Sequence, residues 1–188
     1  MAPPLRPRAE QPGQPAPSVG GVAHLRSNFE IWERAMTEIH IRKAIGGDAE
    51  TITELAIRSK SHWGYSEPQM ATFRSELTLT PELMESRSVF VAESERAIVG
   101  YYSLCLNEHG NLELEHMFVE PSQMRRGIGT LLFEHARRVA IELGFTQMDI
   151  QSDPNARQFY LKLGAALVKE IPSSIPGRTI PFFVADCS

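Results

Sequence analysis

The chain has 188 residues and a formal net charge of −4, with a pI near 5.9. That balance excludes nucleic-acid binding by bulk electrostatics and leaves any basic site to be a local one. A hydrophobic fraction of 42% and a charged fraction of 22% suit one soluble globular domain with a tail.

Residues 1–26 are rich in Pro, Gly and Ala and lack apolar periodicity. They read as a disordered extension without the apolar centre of a secretory signal. The extension runs to residue 37, with Phe29–Met36 fit for a short helix, and the folded domain is placed at residues 38–188. Ile39–Ile45 alternates as a first strand. Asp48 is placed as the N-cap of a helix from Ala49 that puts Ile52, Leu55, Ala56 and Ser59 on one face. Ser66, ahead of Glu67 and Pro68, opens a second helix to about Leu77. Pro81–Ser86 is a helical turn. Val89–Ala92, Ile98–Leu106 and Leu112–Val119 are strands joined by tight turns at Glu93–Arg96 and Asn107–Asn111.

Glu113–Leu132, reading ELEHMFVEPSQMRRGIGTLL, organises the rest. Its apolar period changes from two to 3.6, so it reads strand, turn, helix. The helix after Gly127 carries an apolar stripe through Ile128, Leu131, Leu132, His135, Ala136, Val139, Ala140 and Leu143, and Gly144 stops it. Gln147–Gln151 follows as a strand parallel to Leu112–Val119, because a helical crossover joins the two. Asp153 and Pro154 start a last helix that Gly164 closes. Ala166–Ile171 and Thr179–Ala185 form a terminal strand pair. Two cysteines, Cys105 and Cys187, without a CxxC pair favour free thiols in a reducing compartment, taken as the cytoplasm. No apolar run reaches the length of a membrane span.

Gly127 and Gly129 at a strand-to-helix junction let the backbone approach a ligand. The free N–H groups of the helix start then face a phosphate or pyrophosphate. Arg125 and Arg126 add charge, and the Thr130 hydroxyl adds a donor. The dinucleotide fingerprint is excluded because Leu132 stands where it needs a third glycine, and the P-loop Lys-Ser/Thr pair is absent.

What remains resembles the acyl-CoA motif of the GNAT superfamily of N-acyltransferases. The motif reads Gln/Arg-x-x-Gly-x-Gly/Ala, and here Met124-Arg125-Arg126-Gly127-Ile128-Gly129, with Met124 departing from it. A second family-like segment runs from Asp153 to Gly164. The resemblance spans roughly residues 39–187. It implies an α/β (α+β) fold: a mixed, mostly antiparallel sheet of six to seven strands flanked by helices, with one parallel join after the cofactor-binding helix. It also implies acetyl-CoA as cosubstrate, held by the backbone of Met117, Phe118 and Val119, by Arg125, Arg126, Gly127, Ile128, Gly129 and Thr130, and by Asn155.

Strict alternation puts Glu113 and Glu115 on one face with Met117 and Val119, and Leu112, Leu114, His116 and Phe118 on the other. An amine must lose a proton to attack a thioester, and a carboxylate can take it directly or through water. Glu115, nearer the glycine loop, is the expected base, with Glu113 as the alternative if the strand bulges. The resemblance makes Tyr160 the proton donor to the leaving thiolate. His62, Trp63 and Tyr65 either line the acceptor pocket or pack over the sheet, and Arg178 is a candidate to meet an acidic acceptor. No metal site is expected. The reading is an enzyme that moves an acetyl group from acetyl-CoA to a primary amine on a small molecule or a protein. A homodimer stays open, and neither nucleic acid nor membrane is a partner. The rival is a non-catalytic acyl-CoA sensor or interaction module on the same fold.

Overall fold

The computed structural model describes residues 39–188. The expectations for the extension and for a helix at Phe29–Met36 lie outside the described residues. Seven strands form one sheet: β1 (His40–Lys43), β2 (Ser88–Ser94), β3 (Ala97–Leu106), β4 (Leu112–Val119), β5 (Gln147–Gln151), β6 (Ala166–Pro172) and β7 (Thr179–Asp186). Their order across the sheet is β1-β2-β3-β4-β5-β7-β6. Every pairing is antiparallel except β4 with β5. The mixed sheet with one parallel join is as the sequence predicts, and β4 is its central strand.

Among the described residues, five helices cover the faces: α1 (Ala49–Ser61), α2 (Glu67–Leu77), α3 (Pro81–Glu85), α4 (Ile128–Glu142) and α5 (Arg157–Lys162). One core joins α1 and α2 to the sheet through Ile52, Leu55, Phe73, Val91 and Tyr101. The other joins α4 and α5 to the opposite face through Leu132, Phe133, Leu114, Ile150 and Phe183. Burying each such side chain contributes roughly 1.5–3 kcal/mol. Phe133 departs from the stripe read in sequence: it is fully buried, while Leu143 is 48% exposed. The reason is a second layer. Phe133 packs edge-on against Phe159 and Tyr160 of α5, which the periodicity of α4 alone does not reveal.

Local signals set the helix ends. The Ser66 N–H donates to Gln69 Oε1 at 3.0 Å, a capping-box contact at the start of α2. Asp153 Oδ1 accepts from the Asn155 N–H at 2.9 Å, as an N-cap should. The side chain of Asp48 differs from expectation. It makes no cap bond to α1. Its carboxylate instead accepts from the Ile45 N–H and from Arg42, which also reaches Glu93 on β2. Asp48 holds the N-cap position of α1 as expected, but its side chain closes the preceding turn at Ile45 and ties to Arg42 of β1 instead of capping the helix.

Candidate active site

β4 and β5 are registered at one position only, Glu113 opposite Asp149. Beyond it β4 runs on to Val119, and β5 ends at Gln151 and turns into Ser152–Asp153. The strands part, and the sheet is open at its centre. Backbone N–H and C=O groups need partners, and on its β5 side the edge of β4 beyond Glu113 has none from a strand.

β4 also carries a bulge. Ser103 pairs with His116 and Leu104 with Leu114, which leaves Glu115 without a partner on β3. The extra residue breaks the alternation read from sequence. Leu112, Leu114, Met117 and Val119 all face the core beneath α4. Glu115 and His116 share the opposite side, where Ser103 Oγ donates to Glu115 at 3.3 Å and the Tyr101 hydroxyl meets His116 Nδ1 at 3.2 Å. The expectation that Glu115 shares a face with Met117 and Val119 is thus corrected, as is the placing of His116 with Leu112 and Leu114. The physical cause is the extra residue.

On one side of the opening lies a cleft of about 630 Å³, lined by Met117, Phe118, Val119, Arg125 and Thr130 among others. Gly127 caps α4 with φ +84°, a left-handed conformation in which glycine alone is unstrained. The Leu131 N–H donates to the Gly127 carbonyl at 3.0 Å, so the N–H groups of Ile128, Gly129 and Thr130 have no helical partner. Arg125 holds φ +64°, a conformation that costs an L-residue roughly 1–2 kcal/mol. Gly129 is small for a reason beyond the ligand: a Cβ there would lie 3.1 Å from the Phe159 ring. Ile128 is buried in the core, so it offers only its backbone. Arg126 donates to Gln123 Oε1 at 3.1 Å and does not line the cleft. Asn155 lines it and donates to the Tyr65 hydroxyl and to Asp153. Trp63 also lies on this cleft rather than on the acceptor side.

On the other side is a cavity of about 340 Å³ between α2, β4 and the β6–β7 turn. The two spaces meet at Met117, Phe118, Lys60, Asp153 and Tyr160, which line both. Tyr160 is 6% exposed, and burial raises its phenol well above the ordinary value. Its hydroxyl makes no hydrogen bond to any described residue, so it is a free donor at the junction. Glu115 lines the cavity, and Arg87 grips its carboxylate at both oxygens, Nε–Oε2 2.5 Å and Nη2–Oε1 2.7 Å. Burial alone would raise its pKa, but the Arg87 hydrogen bonds and charges outweigh that and hold it low. Glu113 is buried, lies outside both spaces and is raised by burial, then by the Glu115 and Asp149 carboxylates. Burial lowers His116, so the imidazole is neutral at physiological pH.

Sequence reasoning missed His116, Lys60, Arg87 and Asp153 as site residues. Asp153 joins the Lys60 ammonium at 2.6 Å, the Tyr65 hydroxyl at 2.7 Å and Arg178 at 3.3 Å. Burial and the Arg178 charge lower Lys60 despite that partner, and Lys60 sits 4.2 Å from the Phe73 ring centroid. Two segments far from Asp153 in sequence, Lys60–Tyr65 and Arg178, close on its carboxylate, so only spacing in three dimensions shows them. Tyr65 therefore belongs to a polar cluster rather than to a plain aromatic lining, and His62 lines neither space. Among the described residues no group of three His, Cys, Asp or Glu is placed to hold a metal ion. No helix among them is long and apolar enough to cross a membrane.

Residues 85–164 match the acetyltransferase (GNAT) domain family. A comparison with curated proteins returns no match. Solved structures share the fold. PaiA N-acetyltransferase of Thermoplasma acidophilum in complex with coenzyme A is 19% identical with a TM-score of 0.65, over 79% of this chain and 98% of that one. YncA of Salmonella typhimurium with its cofactor acetyl-CoA is 18% identical with a TM-score of 0.60, over 80% and 94%. The ribosomal-protein-S18-alanine N-acetyltransferase of Escherichia coli matches to the same identity, score and coverage.

Proposed function

We propose that this chain, whose residues 85–164 match the acetyltransferase (GNAT) domain family and whose fold is shared with solved acetyltransferases, transfers an acetyl group from acetyl-CoA to a primary amine by direct attack. The residues present fit the cosubstrate. The N–H groups of Ile128, Gly129 and Thr130, with Arg125 beside them, face a pyrophosphate. The unpaired edge of β4 at Met117–Val119 offers strand-like hydrogen bonds to the pantetheine arm and a donor to the thioester oxygen. Asn155 lies beside that arm. Bound acetyl-CoA supplies the thioester, whose acetyl carbon forms the new C–N bond as the C–S bond breaks.

The single observation that carries this reading is the junction. Two spaces, one with an anion cradle and one with a base, meet where Tyr160 presents an unpartnered hydroxyl. Tyr160 donates its proton to the leaving sulfur and recovers one from solvent. On the amine side, His116 is neutral, and with Nδ1–H donating to Tyr101 its Nε2 presents a lone pair to the acceptor cavity. It takes the amine proton, and the Glu115 carboxylate beside it favours the resulting imidazolium. The second reading keeps Glu115 itself as the base, through water. Bidentate pairing with Arg87 weakens its basicity, which favours His116. Glu113, outside the cavity, has the least access to an amine. The two free cysteines fit a reducing cytoplasmic setting.

Incubation with acetyl-CoA and a panel of primary amines, read by thiol release and mass spectrometry, tests the proposal. An acetylated amine that needs both reactants supports it. Tight acetyl-CoA binding with no acetylated amine supports the sensor reading instead.

A further inference from the structure

The acceptor cavity has a charge arrangement that the transfer reaction does not by itself require. Two cations line it, Lys60 and Arg178, and both lean on one carboxylate, Asp153. One carboxylate neutralises one cation, so the cluster keeps a net charge of about +1. Glu115, the other half-buried carboxylate of the cavity, is already matched by Arg87. Glu76 is exposed on the rim and forms no ion pair with any described residue; its charge reaches Lys60 but solvent screens it, so it offsets the cluster only in part.

Arg178 uses only one of its three nitrogens. Nη2 donates to the Tyr65 hydroxyl at 3.0 Å and to Asp153 at 3.3 Å. Nε and Nη1 make no hydrogen bond to a described residue. The side chain is nonetheless held, 16% exposed, with its guanidinium carbon 5.3 Å from the Tyr65 ring centroid and 5.6 Å from that of Phe73. A guanidinium fixed in orientation, with the N–H groups of Nη1 and Nε unpartnered, is preorganised to donate charge-assisted hydrogen bonds to a carboxylate. The Lys60 ammonium behind it adds attraction, and a cavity of about 340 Å³ suits a small molecule.

We propose that Arg178, backed by Lys60, is an anion subsite for the acceptor, so that the acceptor is a small amine carrying a carboxylate. This rests on the acyl-transfer reading above. The carboxylate accepts from the unpartnered N–H groups of Arg178 Nη1, and the amine of the same molecule lies toward Met117–Phe118 and His116. Simple alkylamines and carboxamides lack the docking group.

Matched pairs test it: glycine, alanine, aspartate and glutamate against their α-carboxamides, and β-alanine against propylamine. Each is offered with acetyl-CoA and read by thiol release and by mass of the product. At least one acid is expected to exceed its neutral partner tenfold or more in kcat/KM, mainly through KM. Arg178→Gln should collapse that ratio toward one, and Arg178→Lys, which keeps the charge without the planar guanidinium, should fall between. Circular dichroism checks that the variants fold, and the wild-type pairs decide the matter even if they do not. As a second readout, propionate should bind the CoA-loaded wild type by calorimetry and propionamide should not. The proposal is overturned if neutral partners react as well as the acids in every pair, or if the preference survives in folded Arg178→Gln. In those cases amines are still acetylated and the transfer reading stands. If no amine reacts while acetyl-CoA binds, the transfer reading fails and takes the subsite with it.

Discussion

Glu115 and His116 are neighbours in sequence, yet their side chains lie on the same side of β4. The bulge that does this leaves Glu115 unpaired between Ser103 and Leu104 on β3. It places a fixed carboxylate and a neutral imidazole together in the acceptor cavity.

The first prediction separates the two. A base must be unprotonated, so activity rises with pH through its pKa. For His116 that rise is centred below the ordinary histidine value of about 6.5, because burial lowers it. His116→Gln should cut kcat on the order of a hundredfold at neutral pH and abolish that inflection. Glu115→Gln should cost less and move the inflection to lower pH, since the carboxylate that favours the imidazolium is gone. Stopped-time thiol assays across pH 5–9 check this. A silent His116→Gln with a crippled Glu115→Gln would return the base role to the glutamate.

Glu115 also enters stability. Its folded pKa lies below the unfolded one, so its contribution is present above about pH 4.3 and is lost as pH falls through the folded value. Wild type should therefore be more stable than Glu115→Gln at pH 7, with the gap closing toward pH 3. Urea midpoints at the two pH values measure it. A gap that stays constant would mean that the effect is packing and not charge.

Asp153 has a larger structural part. Burial alone would raise it, but Lys60 and its other partners hold it ionised. Asp153→Asn leaves two cations side by side without their counter-charge, and breaking a buried pair in this way costs about 3–5 kcal/mol. A smaller loss is expected here because both partners keep some solvent contact, 12% and 14%. Chemical denaturation at pH 7 should show a drop of at least about 1 kcal/mol. No drop would mean that water takes over the role of the carboxylate.

Much of this was legible in the chain. The period change over Glu113–Leu132, with Gly127 at the junction, was enough to place a strand, a turn and a helix with free N–H groups. The crossover from Val119 to Gln147 was enough to make β4 and β5 parallel. What could not be read needed a partner segment. The bulge exists only relative to β3, so periodicity put His116 on the wrong face. Phe133 is buried by α5, not by its own helix. Lys60 and Asp153 are 93 positions apart, and Arg87 reaches Glu115 across 28, so neither pairing leaves a local pattern.

The cradle makes its own prediction. Gly127→Asp places a carboxylate and a Cβ at a residue with φ +84°, so acetyl-CoA affinity should fall at least tenfold by calorimetry while the fold survives. Met124→Gln should bind equally or modestly tighter. Unchanged affinity in folded Gly127→Asp would move the pyrophosphate elsewhere.

The central claim is that acetyl leaves a thioester at Tyr160 and arrives on an amine. The most direct measurement compares wild type with Tyr160→Phe, following thiol release and acetylated amine together, with acetyl-CoA affinity measured on the same samples. The account predicts one thiol per acetylated amine. It predicts a fall in kcat on the order of a hundredfold in the variant, with affinity within a few-fold of wild type because the ring remains. Wild-type protein that binds acetyl-CoA yet acetylates no amine, or a Tyr160→Phe variant that turns over at the wild-type rate, would contradict it.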